Sequence, residues 1–404
     1  MRTAFVMEGG SKTEFHLARG LMARGHDVDL VLLRTVGRDL VPANARVYVL
    51  EGHPEGDHDE PPPDASGRPI RVKQPVSPFD WLDTAHTVRW DPHCLLRPRL
   101  IRQIGALARY AKTVEPDIIL LNITGPRSVV LLACPSLAKF APVIAVAHSY
   151  IKYRRYRYRA RYRRLFVNAT QLVGVSHGVS SSLAAAAGAK SNKVKTIYNG
   201  VEAANIRDRM RAAPSCPELL RRDVPIVLAT GRLTGAKDYP TLIRAFARLA
   251  SRRACHLIIL GEGKARSKIE RLVRSRHLTD RVSLPGWVEN PFAYMSRASL
   301  FVVSSRREGF SMVLLEALSC GCPCVSTDCH SGPAEILQNG KYGPLVPVGN
   351  DAALADAMER VLDNPPDKRV LQERAALFST DQTVAAYDQL ISTVGRRSRD
   401  LSSE

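Results

Sequence analysis

The sequence predicts an α/β protein made of two doubly wound domains. Its 404 residues exceed what one hydrophobic core usually organises. It opens on an apolar run, residues 2–7, followed by the Glu8-Gly9-Gly10-Ser11 turn, an amphipathic helix through Leu17, Leu21 and Met22, and a second apolar run from Val28 to Leu33. That strand–turn–helix–strand start is how a doubly wound sheet begins. The same rhythm restarts at Pro225, after a charged, turn-rich interval.

Composition narrows the class. Hydrophobic residues make up 45% of the chain, as in ordinary globular proteins. No apolar run approaches the roughly 18–20 residues that span a bilayer. The Met1–Met7 stretch is too short for a signal peptide, so a cytosolic or peripheral protein is expected. Cys94, Cys134, Cys216 and Cys255 are scattered, whereas Cys320, Cys322, Cys324 and Cys329 cluster without common zinc spacing. Small buried residues in a reducing compartment explain them better than a metal. A net charge of +19 favours an anionic partner: a nucleotide, a phospholipid surface or nucleic acid.

The elements follow in order. Gly25-His26 closes the first helix. Residues 51–92, rich in Pro, Asp, Glu and His, read as a long loop or lid, or equally as a disordered insertion. A helix starts at Pro98, a favourable first helical residue, and runs to about Thr113. Strands are expected at Asp117–Leu121 and Val143–Ala147, the second ending at His148. The C-terminal edge of a parallel strand faces the ligand crevice, so His148 is a site candidate. The stretch from Lys152 through Arg154, Arg155, Arg157, Arg159, Arg161, Arg163 and Arg164 alternates with tyrosines and holds no acid. It suits an anionic membrane or anionic acceptor. Arg with aromatics also suits nucleic acid, and the plain alternative is a solvated helix. Gln171–Ser176 reads as a strand, and residues 203–223 as the linker.

In the second half, Pro225–Thr230 reads as a strand feeding Gly231-Arg232-Leu233-Thr234-Gly235-Ala236-Lys237 and a helix from Thr241 to Leu249. Two cations on a strand-to-helix loop can clamp a diphosphate. His256–Leu260 leads to Gly261-Glu262-Gly263, where glycine permits close approach to the backbone. The apolar run Leu300–Ser304 precedes Glu308-Gly309-Phe310-Ser311-Met312, with Ser311 as an N-cap and a helix from Met312 to Leu318. Such a helix N-terminus suits a diphosphate. Glu308 and Glu316, one and a half turns into that helix, are placed to flank one ligand and accept paired hydroxyls. Helices are expected at Asp351–Leu362 and about Asp381–Val394, with a polar, frayed tail from Gly395.

The Glu308–Glu316 segment resembles the E-x7-E motif of glycosyltransferase family 4, retaining enzymes of the GT-B fold. The likeness continues through Ala317–Pro323, Ser326–Cys329 and Ser331–Leu337, and is close from about Gly231 to Gly349. The resemblance implies two Rossmann-like domains facing a central cleft: an acceptor domain over 1–202, a linker over 203–223, a nucleotide-sugar domain over 224–379, and a helix within 380–404 crossing back to the first domain. It implies that Arg232 and Lys237 hold the donor phosphates and that Gly9 and Gly10 lie near donor or acceptor. It further implies that His148 contacts the transferred sugar and that Gly231, Gly261, Gly263 and Gly309–Met312 surround the nucleotide. Glu308 would bind sugar hydroxyls and Glu316 the ribose. There is no convincing D-x-D metal motif, and the cationic side chains make a divalent ion unnecessary, so neither metal nor cofactor is expected.

The Ser-Thr-Asp-Cys-x-Ser-Gly-Pro stretch is similar to bacterial transferases that build lipid-linked oligosaccharide, capsule or lipopolysaccharide. A UDP-sugar donor, a glycan or lipid-linked acceptor and an anionic inner-membrane surface are the partners this implies, with nucleic acid set aside. A nucleotide-sugar epimerase of the same fold, or a non-catalytic binder of anions or nucleic acid, is the alternative.

Overall fold

The computed structural model describes residues 1–7, 12–33, 41–42, 45–50, 98–123, 137–151, 163–214 and 223–402. Residues 51–92, Gly9, Gly10 and the basic run from Lys152 to Arg161 lie outside these. The chain divides into two compact units. Unit 1 holds residues 1–175, 179–198 and 380–404; unit 2 holds 176–178 and 199–379.

Unit 1 is built on a seven-stranded sheet in the order β3-β2-β1-β4-β5-β6-β7. Its strands are β1 (Arg2–Met7), β2 (Asp27–Leu32), β3 (Arg46–Val49), β4 (Ile118–Ile123), β5 (Val143–Ala147), β6 (Gln171–Gly174) and β7 (Val194–Thr196). Every pairing is parallel. Parallel strands covered on both faces need side chains that shun water on both sides. Accordingly β4 and β5 are buried at every residue. The first helix, Lys12–Ala23, stops where Gly25 adopts φ +85° and the Gly25 and His26 amides bond back to Met22 O and Leu21 O. One polar knot interrupts the core. The fully buried Asp29 accepts from Arg2 Nε (2.9 Å), Arg46 Nε (2.6 Å) and the Tyr110 hydroxyl (2.6 Å). It lies toward the N-terminal end of the sheet, where no ligand is expected, and three donors satisfy it.

The last helix, Thr380–Ser402, belongs to unit 1. It packs on helix Lys12–Ala23, burying Val384, Tyr387, Leu390, Ile391 and Val394. Asp388 accepts from His26 Nε2 at 2.9 Å and from Arg24 at 3.2 Å, and these two partners hold its carboxyl below the usual range. The helix does not fray at Gly395 as expected. Gly395 lies within the helix, facing the side chains of Met1 and Ile118, and the helix runs on to Ser402.

Unit 2 carries six parallel strands in the order β10-β9-β8-β11-β12-β13. These are β8 (Ile226–Thr230), β9 (His256–Leu260), β10 (Val282–Gly286), β11 (Leu300–Val303), β12 (Cys324–Thr327) and β13 (Leu345–Val346). Val227, Leu257, Ile259, Leu300 and Val302 of the sheet meet Leu242, Phe246, Leu354 and Met358 of the covering helices Tyr239–Ala250 and Asp351–Asp363 in one core. The interval expected to be only linker contains a helix, Ala203–Met210. A single buried residue, Ile206, anchors it, helped by the Arg209 guanidinium 5.2 Å from the Phe292 ring centroid and bonded to Glu289 O at 2.7 Å.

Candidate functional site

In unit 2 the strand order reverses between β8 and β11. An open parallel sheet offers its ligand crevice at such a reversal, beyond the carboxyl ends of the strands. Two loops leave there: 231–238 after β8 and 304–311 after β11.

The loops are tied to each other. Ser304 Oγ donates to Lys237 O at 2.8 Å, and the Arg306 amide to Ala236 O at 2.8 Å. Asp238 is buried at φ +48°, in the left-handed region that glycine enters without strain. Its carboxylate offsets that strain by accepting from Arg306 Nε (2.8 Å) and Thr241 Oγ1 (2.8 Å). With Asp238 anchored, Lys237 reaches across, and its Nζ sits 2.7 Å from Glu308 Oε1. Ser305 Oγ donates to the same oxygen at 2.6 Å. Oε2 of Glu308 makes no hydrogen bond to a described residue, and the side chain is 10% exposed. A carboxylate with one oxygen clamped and the other available is a rigid acceptor for a ligand hydroxyl.

Further props sit behind it. Thr327 Oγ1 donates to Ser305 O at 2.6 Å, and Ser331 Oγ to Glu308 O at 2.5 Å. Gly332, at φ +93°, lets its segment lie against Phe310 and Ser311, where a Cβ would come within 3.1 Å of the backbone. Burial and the Glu308 charge together push the Tyr239 phenol up, and its hydroxyl donates to Gly231 O at 3.0 Å. Arg232, in the same loop, is exposed. Helix Met312–Ser319 follows the Glu308 turn and carries Glu316, half-buried, in its second turn. The Leu314 amide bonds to Ser311 O at 3.0 Å, which leaves the Met312 and Val313 N–H groups at the helix start without an intrahelical acceptor. Ser311 occupies the N-cap position but forms no cap bond, contrary to expectation; its buried hydroxyl has no partner among the described residues. Phe310 turns its ring into unit 2, 5.5 Å from that of Phe378.

Gly261 and Gly263 adopt φ +135° and +155°. The backbone that approaches them belongs to the chain itself: a Cβ on Gly261 would fall 2.1 Å from Gly231 O, and one on Gly263 2.5 Å from Leu233 O. The amides of Gly231 and Leu233 bond to Leu260 O and Glu262 O, extending the β8–β9 ladder past the strand ends. These glycines therefore set the height of the 231–233 loop.

In unit 1, His148 directly follows β5. Its Nε2 lies 2.8 Å from Asn122 Oδ1, on β4, and 3.9 Å from Glu14 Oε1, on the first helix. Glu14 and Asn122 are buried, 3% and 5% exposed, and His148 keeps a fifth of its side chain in solvent. Desolvation lowers the His148 pKa, and Glu14 opposes it. Arg163 and Arg164, which close the basic run, are exposed.

Cys255, Cys320, Cys322, Cys324 and Cys329 are buried free thiols. Burial pushes those of Cys322 and Cys329 up to about 12, so they are not nucleophiles at neutral pH. Among the described residues no His, Cys, Asp or Glu cluster could hold a metal, and no helix is long and apolar enough to cross a membrane.

The sequence singled out Arg232, Lys237, Glu308 and His148 as site candidates. It missed Ser304, Ser305, Thr327 and Ser331 as supports, and Asn122 and Glu14 as partners of His148. A faint signal existed, since serines and threonines at both ends of apolar runs have few outlets other than backbone carbonyls.

Comparison with known proteins bears on the family and the fold. Residues 7–205 match the family model described as glycosyltransferase family 4, and residues 217–378 that of glycosyl transferases group 1. The N-acetylgalactosamine-N,N'-diacetylbacillosaminyl-diphospho-undecaprenol 4-alpha-N-acetylgalactosaminyltransferase of Campylobacter jejuni is 32% identical over 183 residues, 45% of this chain. The chain spans about half (48%) of that relative's length. The lipopolysaccharide 1,6-galactosyltransferase of Escherichia coli is 26% identical over 65% of this chain and 70% of its own. Among solved structures, Anabaena HepE in complex with UDP superposes with a TM-score of 0.69 at 16% identity, covering 97% of this chain and 100% of that one. A glycosyltransferase from Rickettsia africae gives a TM-score of 0.72 at 15% identity over 97% and 98%. With two all-parallel Rossmann-like units and family models along both halves, the chain belongs to glycosyltransferase family 4, with the GT-B fold.

Proposed function

We propose that the protein transfers a hexose or N-acetylhexosamine from a UDP-sugar to a glycan or lipid-linked acceptor in cell-surface polysaccharide synthesis. The observation that carries this reading is the Lys237–Glu308 pair at the strand reversal of unit 2. It sets a cation for a diphosphate beside a carboxylate for sugar hydroxyls. In the reaction the bond from sugar C1 to the phosphate oxygen breaks and a bond from the acceptor oxygen to C1 forms. Charge grows on the departing diphosphate, and Arg232, Lys237 and the first-turn N–H groups of helix Met312–Ser319 offset it. With cationic side chains in that role, the reaction proceeds without a divalent ion. The departing phosphate takes the acceptor's proton on the same face, so configuration is retained. Glu316 binds the ribose, and His148 binds a hydroxyl of the transferred sugar.

The Campylobacter and Escherichia coli relatives act, by their names, on a diphospho-undecaprenol-linked saccharide and on lipopolysaccharide. That supports an acceptor at the anionic inner face of a membrane, to which the run from Lys152 to Arg164 would dock peripherally.

Calorimetric titration with UDP, GDP and ADP in EDTA tests the reading. Binding of UDP without metal is expected, weakened in Lys237→Met. Failure of all three nucleotides to bind would overturn it.

A further inference from the structure

His148 has two ring nitrogens, and among the described residues only one of them has a hydrogen-bond partner. Nε2 points at Asn122 Oδ1, 2.8 Å away, with Glu14 Oε1 on the same side at 3.9 Å. Nδ1 makes no hydrogen bond to a described residue. Both groups facing Nε2 are acceptors, and Glu14 would favour a proton there even with the Asn122 amide turned over. The ring sits where desolvation disfavours its doubly protonated form. A neutral imidazole carries one proton, so a proton on Nε2 leaves a lone pair on Nδ1.

We infer that Asn122 and Glu14 are positioning residues that hold His148 neutral with its proton on Nε2, so that Nδ1 accepts a hydrogen bond from a ligand hydroxyl. The arrangement is selective. A sugar hydroxyl can donate to Nδ1, whereas a fully ionised phosphate has no proton to give and meets only a lone pair. His148 therefore reads the uncharged part of a nucleotide sugar and rejects its diphosphate. Two elements fix this, β4 through Asn122 and helix Lys12–Ala23 through Glu14, with Tyr387 of helix Thr380–Ser402 near Glu14. Tyr387 is fully buried, and its phenol is pushed up by burial and by the charge of Glu14. Its consequence for sugar binding rests on the proposed function; the state of the ring does not.

The test is a long-range proton–nitrogen NMR correlation on the full chain labelled with nitrogen-15 in its 11 histidines, with His148→Gln assigning the ring. At pH 7 the wild type should show Nδ1 at the unprotonated position and Nε2 protonated. Glu14→Gln, close to isosteric, should move the His148 titration midpoint to lower pH, and Asn122→Ala should give a mixture of the two neutral forms. A wild-type ring protonated on Nδ1, or on both nitrogens, would overturn the inference whether or not the variants fold. In a transferase assay Glu14→Gln should raise the KM for the sugar donor while affinity for UDP alone is unchanged. Equal loss of both would make Glu14 merely structural. UDP binding with the wrong ring form would sink this inference alone, and the right ring form without nucleotide binding would sink only the function.

Discussion

Glu308 is held by one oxygen, and its replacement separates charge from shape. The substitution Glu308→Gln keeps a carbonyl acceptor but removes the charge that pairs with Lys237 and that strengthens a bond to a sugar hydroxyl. Charge-assisted hydrogen bonds contribute about 1.5–3 kcal/mol, so this variant should turn over about 10- to 100-fold more slowly with the fold intact. Steady-state rates beside a thermal melt would check this, and unchanged turnover would remove Glu308 from the site. Ser311 offers a second test. Removing a working N-cap serine costs about 1 kcal/mol. Because the Ser311 hydroxyl caps nothing, Ser311→Ala should leave the melting temperature of the free protein unchanged. If that hydroxyl serves the diphosphate, the same variant binds UDP several-fold more weakly. A drop in melting temperature would mean that the cap forms in solution.

Between elements, the close seating of helix Thr380–Ser402 on helix Lys12–Ala23 depends on Gly20. A Cβ there would lie 2.3 Å from Val384 Cγ2. Overpacking of this kind costs about 1–3 kcal/mol. Gly20→Ala should lower stability by that amount in chemical denaturation, and adding Val384→Ala should recover part of it, as a coupled pair does. Additive losses would show that the two helices do not meet at this point. Elements also differ in how plainly the sequence announces them. Val143–Ala147, between Pro142 and His148, and His256–Leu260, ended by Gly261, are short runs with sharp breaks, and the strands match residue for residue. Helix Ala203–Met210 carries one buried apolar residue among charged ones, so its period is invisible until Phe292 and Glu289 supply partners from about 80 positions away. Much of the site divides the same way. Arg232, Lys237 and Glu308 stand in short motifs, whereas Ser304 and Ser331 act on carbonyls 67 and 23 residues distant. Local spacing says nothing about such contacts.

For the whole molecule, a net charge of +19 makes long-range attraction to anionic surfaces a collective property. Each Lys or Arg close to a membrane adds about 1 kcal/mol, and the effect falls off within a Debye length of about 8–10 Å at physiological salt. Binding to vesicles containing phosphatidylglycerol should therefore weaken steeply between about 50 and 300 mM salt, within the range over which screening shortens. Replacing Arg154, Arg155, Arg157, Arg159, Arg161, Arg163 and Arg164 by Gln should weaken it further. Sedimentation with vesicles measures both effects, and binding that ignores salt or survives the substitutions would exclude this run as the docking face.

The position of residues 380–402 in unit 1 also has a consequence for synthesis. These residues follow all of unit 2 in the chain, yet they cover helix Lys12–Ala23 and stand beside Glu14. On the ribosome, the half of the molecule that begins first is the half that finishes last. Unit 2 has every residue it needs once position 379 has emerged, while unit 1 still waits with an uncovered apolar seat. A nascent chain stalled at that point should be bound by chaperones through its N-terminal half, and release of about 23 more residues should end the association.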